Sequence, residues 1–197
     1  MSIIGYGDIA GTLPDHPERI YFASGVSNSR EMRESEYERE KKLLLLQPHY
    51  PEGKHLIYFS SLSVFYSDSR YVQHKREMEK LAQCNFHPCT IIRLGNITWG
   101  TNPHTLINFI RDRIRNRQTV EVKDVYRYII EKDEFLHWIS MIPSWSCEMN
   151  IPGRKMKVID IVKEYCYPWG RMENIIRGAS NGSSKPNYTE QELQICG

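Results

Sequence analysis

The chain has 197 residues, 40% hydrophobic and 25% charged, which is enough for one substantial core and a small appended lobe. A formal net charge of +2 falls short of the basic excess of a dedicated nucleic-acid binder. The locally basic stretch Arg111, Arg113, Arg115, Arg117 reads first as a solvated helix face, so no nucleic-acid partner is expected. The most apolar stretches, residues 43–46 and 139–142, are far shorter than the roughly 20 residues that cross a bilayer. Residues 1–4 lead into a glycine turn without the flank of a signal peptide, so a cytoplasmic protein with no membrane partner is expected. The cysteines Cys84, Cys89, Cys147, Cys166 and Cys196 form no CxxC pair and fit reduced thiols. Cys84, His87 and Cys89 lack the second ligand pair of a zinc site, so no metal is expected.

In chain order, residues 2–5 and 19–24 read as strands, residues 30–47 as a charged helix ending in four leucines, and residues 55–60 as a third strand. A helix is predicted over 69–83, a strand over 90–93, a helix over 105–117 and an extended segment over 125–130. Helices follow over 133–141 and, after the Pro152-Gly153 turn, over 158–165. This βαβα order predicts an α/β protein with a parallel sheet and helices packed on its faces. Residues 178–197 are rich in Gly, Ser, Asn and Pro and read as a loose tail.

The first strand runs into Gly5-Tyr6-Gly7-Asp8-Ile9-Ala10-Gly11, which is expected to open a helix in the manner of a phosphate-binding βα turn. There Gly5 would permit the tight turn, Gly7 would let the backbone approach a pyrophosphate, and Ala10 or Gly11 would allow close helix–strand packing. A glycine turn without a ligand is the competing reading. Only residues 12–18, with Pro14 and Pro17 among them, separate this turn from the second strand. Those seven residues cannot hold further parallel strands and their crossovers. Nor does an acid end a second strand about 20 residues on, where a dinucleotide fold holds the adenosine ribose. The adenosine side of such a fold is therefore expected to be missing, with the glycine strand at or near a sheet edge.

Tyr71 and Lys75 lie four residues apart within the 69–83 helix, which brings them onto one face. A phenol of ordinary pKa near 10 needs help to act as a base near neutrality, and an adjacent ammonium favours its ionised form. Taken alone, Tyr-xxx-Lys is common on exposed helices. Here Ser60 and Ser61 end the preceding strand, where α/β sheets place their ligands, and the set points to oxidation of an alcohol.

The segments IIGYGDIAG, IYFASGVSNS, LIYFSSLSVF, YVQHK, TIIRLGNITWG, RYIIEKDEF and EMNIPGRKMKVIDIVKEY occur in the order of the blocks of one family. Over residues 2–165 the chain resembles the extended short-chain dehydrogenase/reductases, the NAD-dependent sugar epimerases and dehydratases. The resemblance implies a truncated Rossmann-like parallel sheet with helices on both faces and a small C-terminal substrate lobe. Residues 1–100 would form the shortened dinucleotide-binding domain, and residues 101–177 the substrate-lobe segments with the remaining sheet elements. It implies Tyr71 as base, Lys75 as its electrostatic partner and ribose ligand, and Ser61 as the hydroxyl that orients substrate. NAD or NADP would meet Gly5, Gly7, Asp8 and Ile9 in the first turn, and Ala23, Ser24 and Gly25 after the second strand. Ser60, Tyr71, Lys75, Asn96 and Ile97 would complete the cofactor set. A nucleotide-activated sugar would meet Ser61, Asn96, Thr98 and Arg127, although a surface ion pair of Arg127 with Glu131 or Asp133 is an equal reading. A homodimer through the 30–47 and 69–83 helices is likewise implied.

The expected function is thus an NAD(P)-dependent oxidoreductase, epimerase or dehydratase of nucleotide sugars. The alternative is a non-catalytic relative that binds a nucleotide or a protein partner. Three departures bear on that choice. The second-strand acid is missing, the Ser61-to-Tyr71 separation is short, and the family's asparagine before the serine strand has no counterpart in EYEREKKLLLLQ. Weak or absent cofactor binding is the expected consequence.

Overall fold

The computed structural model describes residues 2–46, 53–166 and 176–177. The predicted tail and the end of the 30–47 helix at Gln47 lie outside the described residues. Five parallel strands form the main sheet in the order β1 (Ile3–Ile4), β2 (Arg19–Phe22), β3 (His55–Ser61), β4 (Cys89–Leu94) and β8 (Cys147–Ile151). Register pairs Ile3 with Tyr21, Tyr21 with Ile57, Ile57 with Thr90, and Thr90 with Cys147. Successive side chains of a strand point to opposite faces, so each central strand feeds two cores. Ile20, Phe22, Leu56, Tyr58 and Ile91 pack beneath α1 (Glu34–Leu45) and α2 (Arg70–Asn85) with Leu44, Met78 and Ala82. Tyr21, Ile57, Phe59 and Ile92 face the other way, against Phe135, Ile139 and Ile142 in and just beyond α4 (Lys132–Ser140).

A smaller lobe stands beside this sheet. Strands β5 (Asn96–Ile97), β7 (Tyr126–Ile130) and β9 (Arg154–Lys157) form a mixed three-stranded sheet, and β6 (Val120–Glu121) pairs with β10 (Ile176–Arg177). The apolar faces of α3 (Leu106–Arg115) and α5 (Val158–Ile161) close a third core with Ile129, Val120 and Val122. Helix α5 continues as a π-helical segment, Val162–Cys166. The architecture is therefore α/β, with a parallel Rossmann-like sheet covered on both faces and a small lobe built from the C-terminal half.

Two expected helices differ in the structure. The glycine turn opens only a single 3-10 turn, Ala10–Thr12, because Leu13 is extended ahead of Pro14, as a residue before proline prefers to be. The first long helix begins at Glu34 rather than Arg30. The Glu31 carboxylate accepts the backbone N–H groups of Met32 and Arg33 and folds that stretch into a turn. Strands β8 and β9, which flank the Pro152-Gly153 turn, were not among the expected elements; both are short and half exposed.

Gly5 adopts φ +129°, and a Cβ built there would lie 2.4 Å from the Ala23 carbonyl oxygen. Gly5→Ala should cost about 1–3 kcal/mol through backbone strain, read as a lowered urea midpoint with an unchanged m value. A midpoint equal to that of the unmodified chain would show that the turn relaxes freely.

Candidate functional site

The carboxyl ends of β1 to β4 open onto a cleft of about 390 Å³. The turn after β1 contributes Gly7, Asp8 and Ile9, and the turn after β2 contributes Ala23, Ser24 and Gly25. Ser60 and Ser61 enter from β3, Tyr71 and Lys75 from α2, and Asn96 and Ile97 from β5. Of the sequence-predicted site residues, only Gly5, Thr98 and Arg127 are not part of the lining. Gly5 lies directly beneath, packed on the Ala23 backbone. Thr98 donates from its hydroxyl to Glu131 at 2.7 Å. Arg127 is buried in β7, donates to the Tyr126 carbonyl at 3.0 Å, and lies near the Tyr66 phenol at the cleft wall.

Helix α2 is capped by Ser69, whose hydroxyl accepts from the Val72 N–H, so Tyr71 and Lys75 enter on the first two turns. The Ser61 hydroxyl accepts from the Ser63 N–H at 3.2 Å and from the Ser63 hydroxyl at 2.9 Å. It also lies near enough to the Tyr71 phenol to favour the ionised form. The Lys75 ammonium lies 5.8 Å from the centre of the Tyr71 ring. The Ser60 hydroxyl turns away from this group and donates to Glu79 at 2.5 Å. Glu79 in turn holds Arg93 in a two-pronged pair at 3.0 and 2.6 Å.

The residue that the sequence reading missed is Glu40, on α1. It is fully buried and accepts four hydrogen bonds: from the Val26 N–H (2.7 Å), the Tyr58 hydroxyl (2.7 Å), His74 Nε2 (2.9 Å) and Lys75 Nζ (3.1 Å). Burial opposes its charge, but Lys75 and the donors outweigh burial and hold the carboxyl well below the usual range. The Lys75 ammonium also donates to Tyr58 at 3.2 Å. Burial works against the Lys75 charge as well, and Glu40 more than offsets this, so its pKa lies above the ordinary lysine value. A Cβ on Gly25 would fall 2.5 Å from Lys75 Nζ, so a side chain there would displace the pair.

This arrangement revises the expected acidity of Tyr71. Burial pushes the phenol up, Lys75 pulls it down, Glu40 pushes it up again, and Ser61 pulls it down; the balance lies above the ordinary value. The ammonium does pull the phenol down as expected, but burial, joined by the Glu40 carboxylate, outweighs it. The signal was present in the sequence: Tyr37, Glu40 and Leu44 fall on one helical stripe, and all three are buried.

The residues fit one part of a nicotinamide dinucleotide better than the rest. Tyr71, Lys75, Ser61 and Asn96 line the cleft with phenol, ammonium, hydroxyl and amide groups. The glycine turn instead carries Asp8, whose carboxylate accepts the N–H groups of Thr101 (2.9 Å) and Asn102 (3.0 Å). Trp99 Nε1 donates to the Asp8 carbonyl at 3.2 Å. These bonds latch the turn to the loop after β5.

Solved structures place this arrangement among known folds. The enzyme WbmG of Bordetella bronchiseptica, in complex with NAD, matches at a TM-score of 0.63 and 14% identity over 84% of this chain and 60% of that one. The UDP-glucose 4-epimerase of Thermus thermophilus, complexed with NAD, matches at 0.61 and 11% identity over 82% and 64%. That of Thermotoga maritima, with UDP-glucose, matches at 0.59 and 16% identity over 90% and 70%. The fold is shared with these three proteins. The chain spans about 60% of the length of the first. No protein-family model and no curated protein matches the sequence. Among the described residues no helix is long and apolar enough to cross a membrane, and no three His, Cys, Asp or Glu side chains group as a metal site.

While Lys75 keeps its charge, Glu40→Gln should lower the pH at which Tyr71 ionises, since the Glu40 carboxylate pushes the phenol up. The Cζ resonance of 13C-labelled tyrosine, assigned by its loss in Tyr71→Phe, reads this directly. An unchanged titration would remove Glu40 from that role.

Proposed function

We propose that the chain is an NAD(P)-dependent oxidoreductase of the epimerase or dehydratase type, acting on a hydroxyl of a nucleotide-activated sugar. The observation that carries this reading is the convergence of Ser61, Tyr71 and Lys75 on one cleft at the carboxyl ends of parallel strands, beside a glycine turn. The likeness in fold to UDP-glucose 4-epimerases, one of them complexed with NAD, and to the NAD-bound enzyme WbmG agrees with it.

In this reading Ser61 hydrogen-bonds the substrate hydroxyl and Tyr71 accepts its proton. The nicotinamide supplies the acceptor for hydride. Lys75 holds the ribose and the negative charge that develops on the phenol. Burial and, behind it, Glu40 oppose ionisation of Tyr71 while Lys75 favours it; an oxidised nicotinamide bound in the cleft would add to the positive charge that Lys75 supplies. Asn96, Thr98 and Arg127 are assigned to the sugar nucleotide, Thr98 and Arg127 at its outer end, near Glu131 and Tyr66. A homodimer through α1 and α2 belongs to the same proposal; within one chain these helices are already joined by Lys41 to Glu77 at 2.9 Å and by Arg70 to Glu34.

One observation favours the alternative of a non-catalytic relative that binds a nucleotide or a protein: the Lys75 charge is committed to Glu40. Turnover separates the two. Tyr71→Phe should abolish oxidation of UDP-sugars, followed by nicotinamide absorbance, while leaving the melting temperature within a degree or two, since one hydroxyl is lost and the packed ring is kept. NAD at 100 times its dissociation constant should raise stability by about 2.7 kcal/mol. An unaffected rate in the variant would take Tyr71 out of the reaction. Absence of any turnover together with binding of nucleotide would favour the non-catalytic relative.

A further inference from the structure

We propose that this cleft takes one half of a dinucleotide, the nicotinamide ribose phosphate half, and makes no contact with adenosine. The proposal deepens the oxidoreductase reading and rests on it. A dinucleotide site is built from two mononucleotide-binding halves that meet where the strand order of the sheet reverses. Here the order β1-β2-β3-β4-β8 runs in one direction from the glycine strand, and among the described residues nothing pairs with the outer edge of β1. One half of the crevice is present.

The connection from β1 to β2 is short and packs back on the sheet, with no further strand in it. After the 3-10 turn Leu13 is buried in the core with Tyr21, and the chain folds back on the start of β1, where Ser2 donates to Asp15 and accepts from the His16 N–H at 3.2 Å. The pyrophosphate cradle is also altered. An α-helix after such a turn offers aligned N–H groups and a positive dipole end to phosphate; three residues of 3-10 helix do not. The Asp8 carboxylate, fixed by Thr101 and Asn102, places an acidic side chain in the cleft lining at the glycine turn. A cleft of about 390 Å³ lies at the small end of the roughly 300–1,000 Å³ range of ligand pockets, in keeping with a mononucleotide.

Calorimetric titration of the full chain with NAD, nicotinamide mononucleotide and ADP-ribose, at one ionic strength, tests this. NAD and the mononucleotide should bind within about threefold of each other, and ADP-ribose about a hundredfold more weakly or not at all. NAD binding tenfold or more tighter than the mononucleotide would overturn the half-site while leaving the oxidoreductase reading in place. ADP-ribose binding as well as NAD would overturn it in the same way. Silence from all three ligands would overturn both.

Discussion

The Glu40 carboxylate is the interaction on which the rest of the site depends. Its four donors come from the loop after β2, from β3 and twice from α2, so one buried charge fixes the spacing of α1, the sheet and the helix bearing Tyr71. Removing one partner of a buried ion pair typically costs about 3–5 kcal/mol, because the other is left uncompensated. Lys75 and Glu40 are thus conditions of each other's presence in the core, and the loop that carries Val26 is anchored with them. Gly25 has to be glycine because this pair fills the space where a side chain would stand.

The same helix carries a second buried charge on the same stripe. Glu79, one turn beyond Lys75, pairs with Arg93 of β4 and accepts from Ser60 of β3. Helix α2 is therefore held by two ionic contacts of opposite polarity, Lys75 to Glu40 of α1 and Glu79 to Arg93 of the sheet, along with its apolar residues. This geometry confines the helix more narrowly than apolar packing alone, since the donors and acceptors of a charged pair must meet at set distances. A helix so held presents Tyr71 and Ser61 in one fixed relation.

Much of this was legible in the sequence, for reasons that differ by element. The inner strands announced themselves as continuous apolar runs, because a parallel strand covered on both faces has no polar side. Tyr71 and Lys75 were legible because helical spacing alone puts them together. Glu40 was hidden by its neighbours: within EYEREKK a glutamate reads as part of a solvated face, and only its register with Tyr37 and Leu44 marks it as inward. The early stop of the helix after the glycine turn follows from Pro14, whereas the start of α1 at Glu34 depends on a side-chain turn at Glu31 that spacing does not reveal. Strands β8 and β9 escaped notice because short, half-exposed segments carry little periodic signal.

The edge position of β1 has a consequence for association. A long unpaired parallel strand offers its free N–H and C=O groups to any other extended chain, and proteins avoid this by shortening or covering such edges. Here the strand has two residues, and the chain on either side turns out of register with it, into the Gly5 turn above and the Ser2–Asp15 bond below. An edge strand of this length is too brief to template intermolecular pairing.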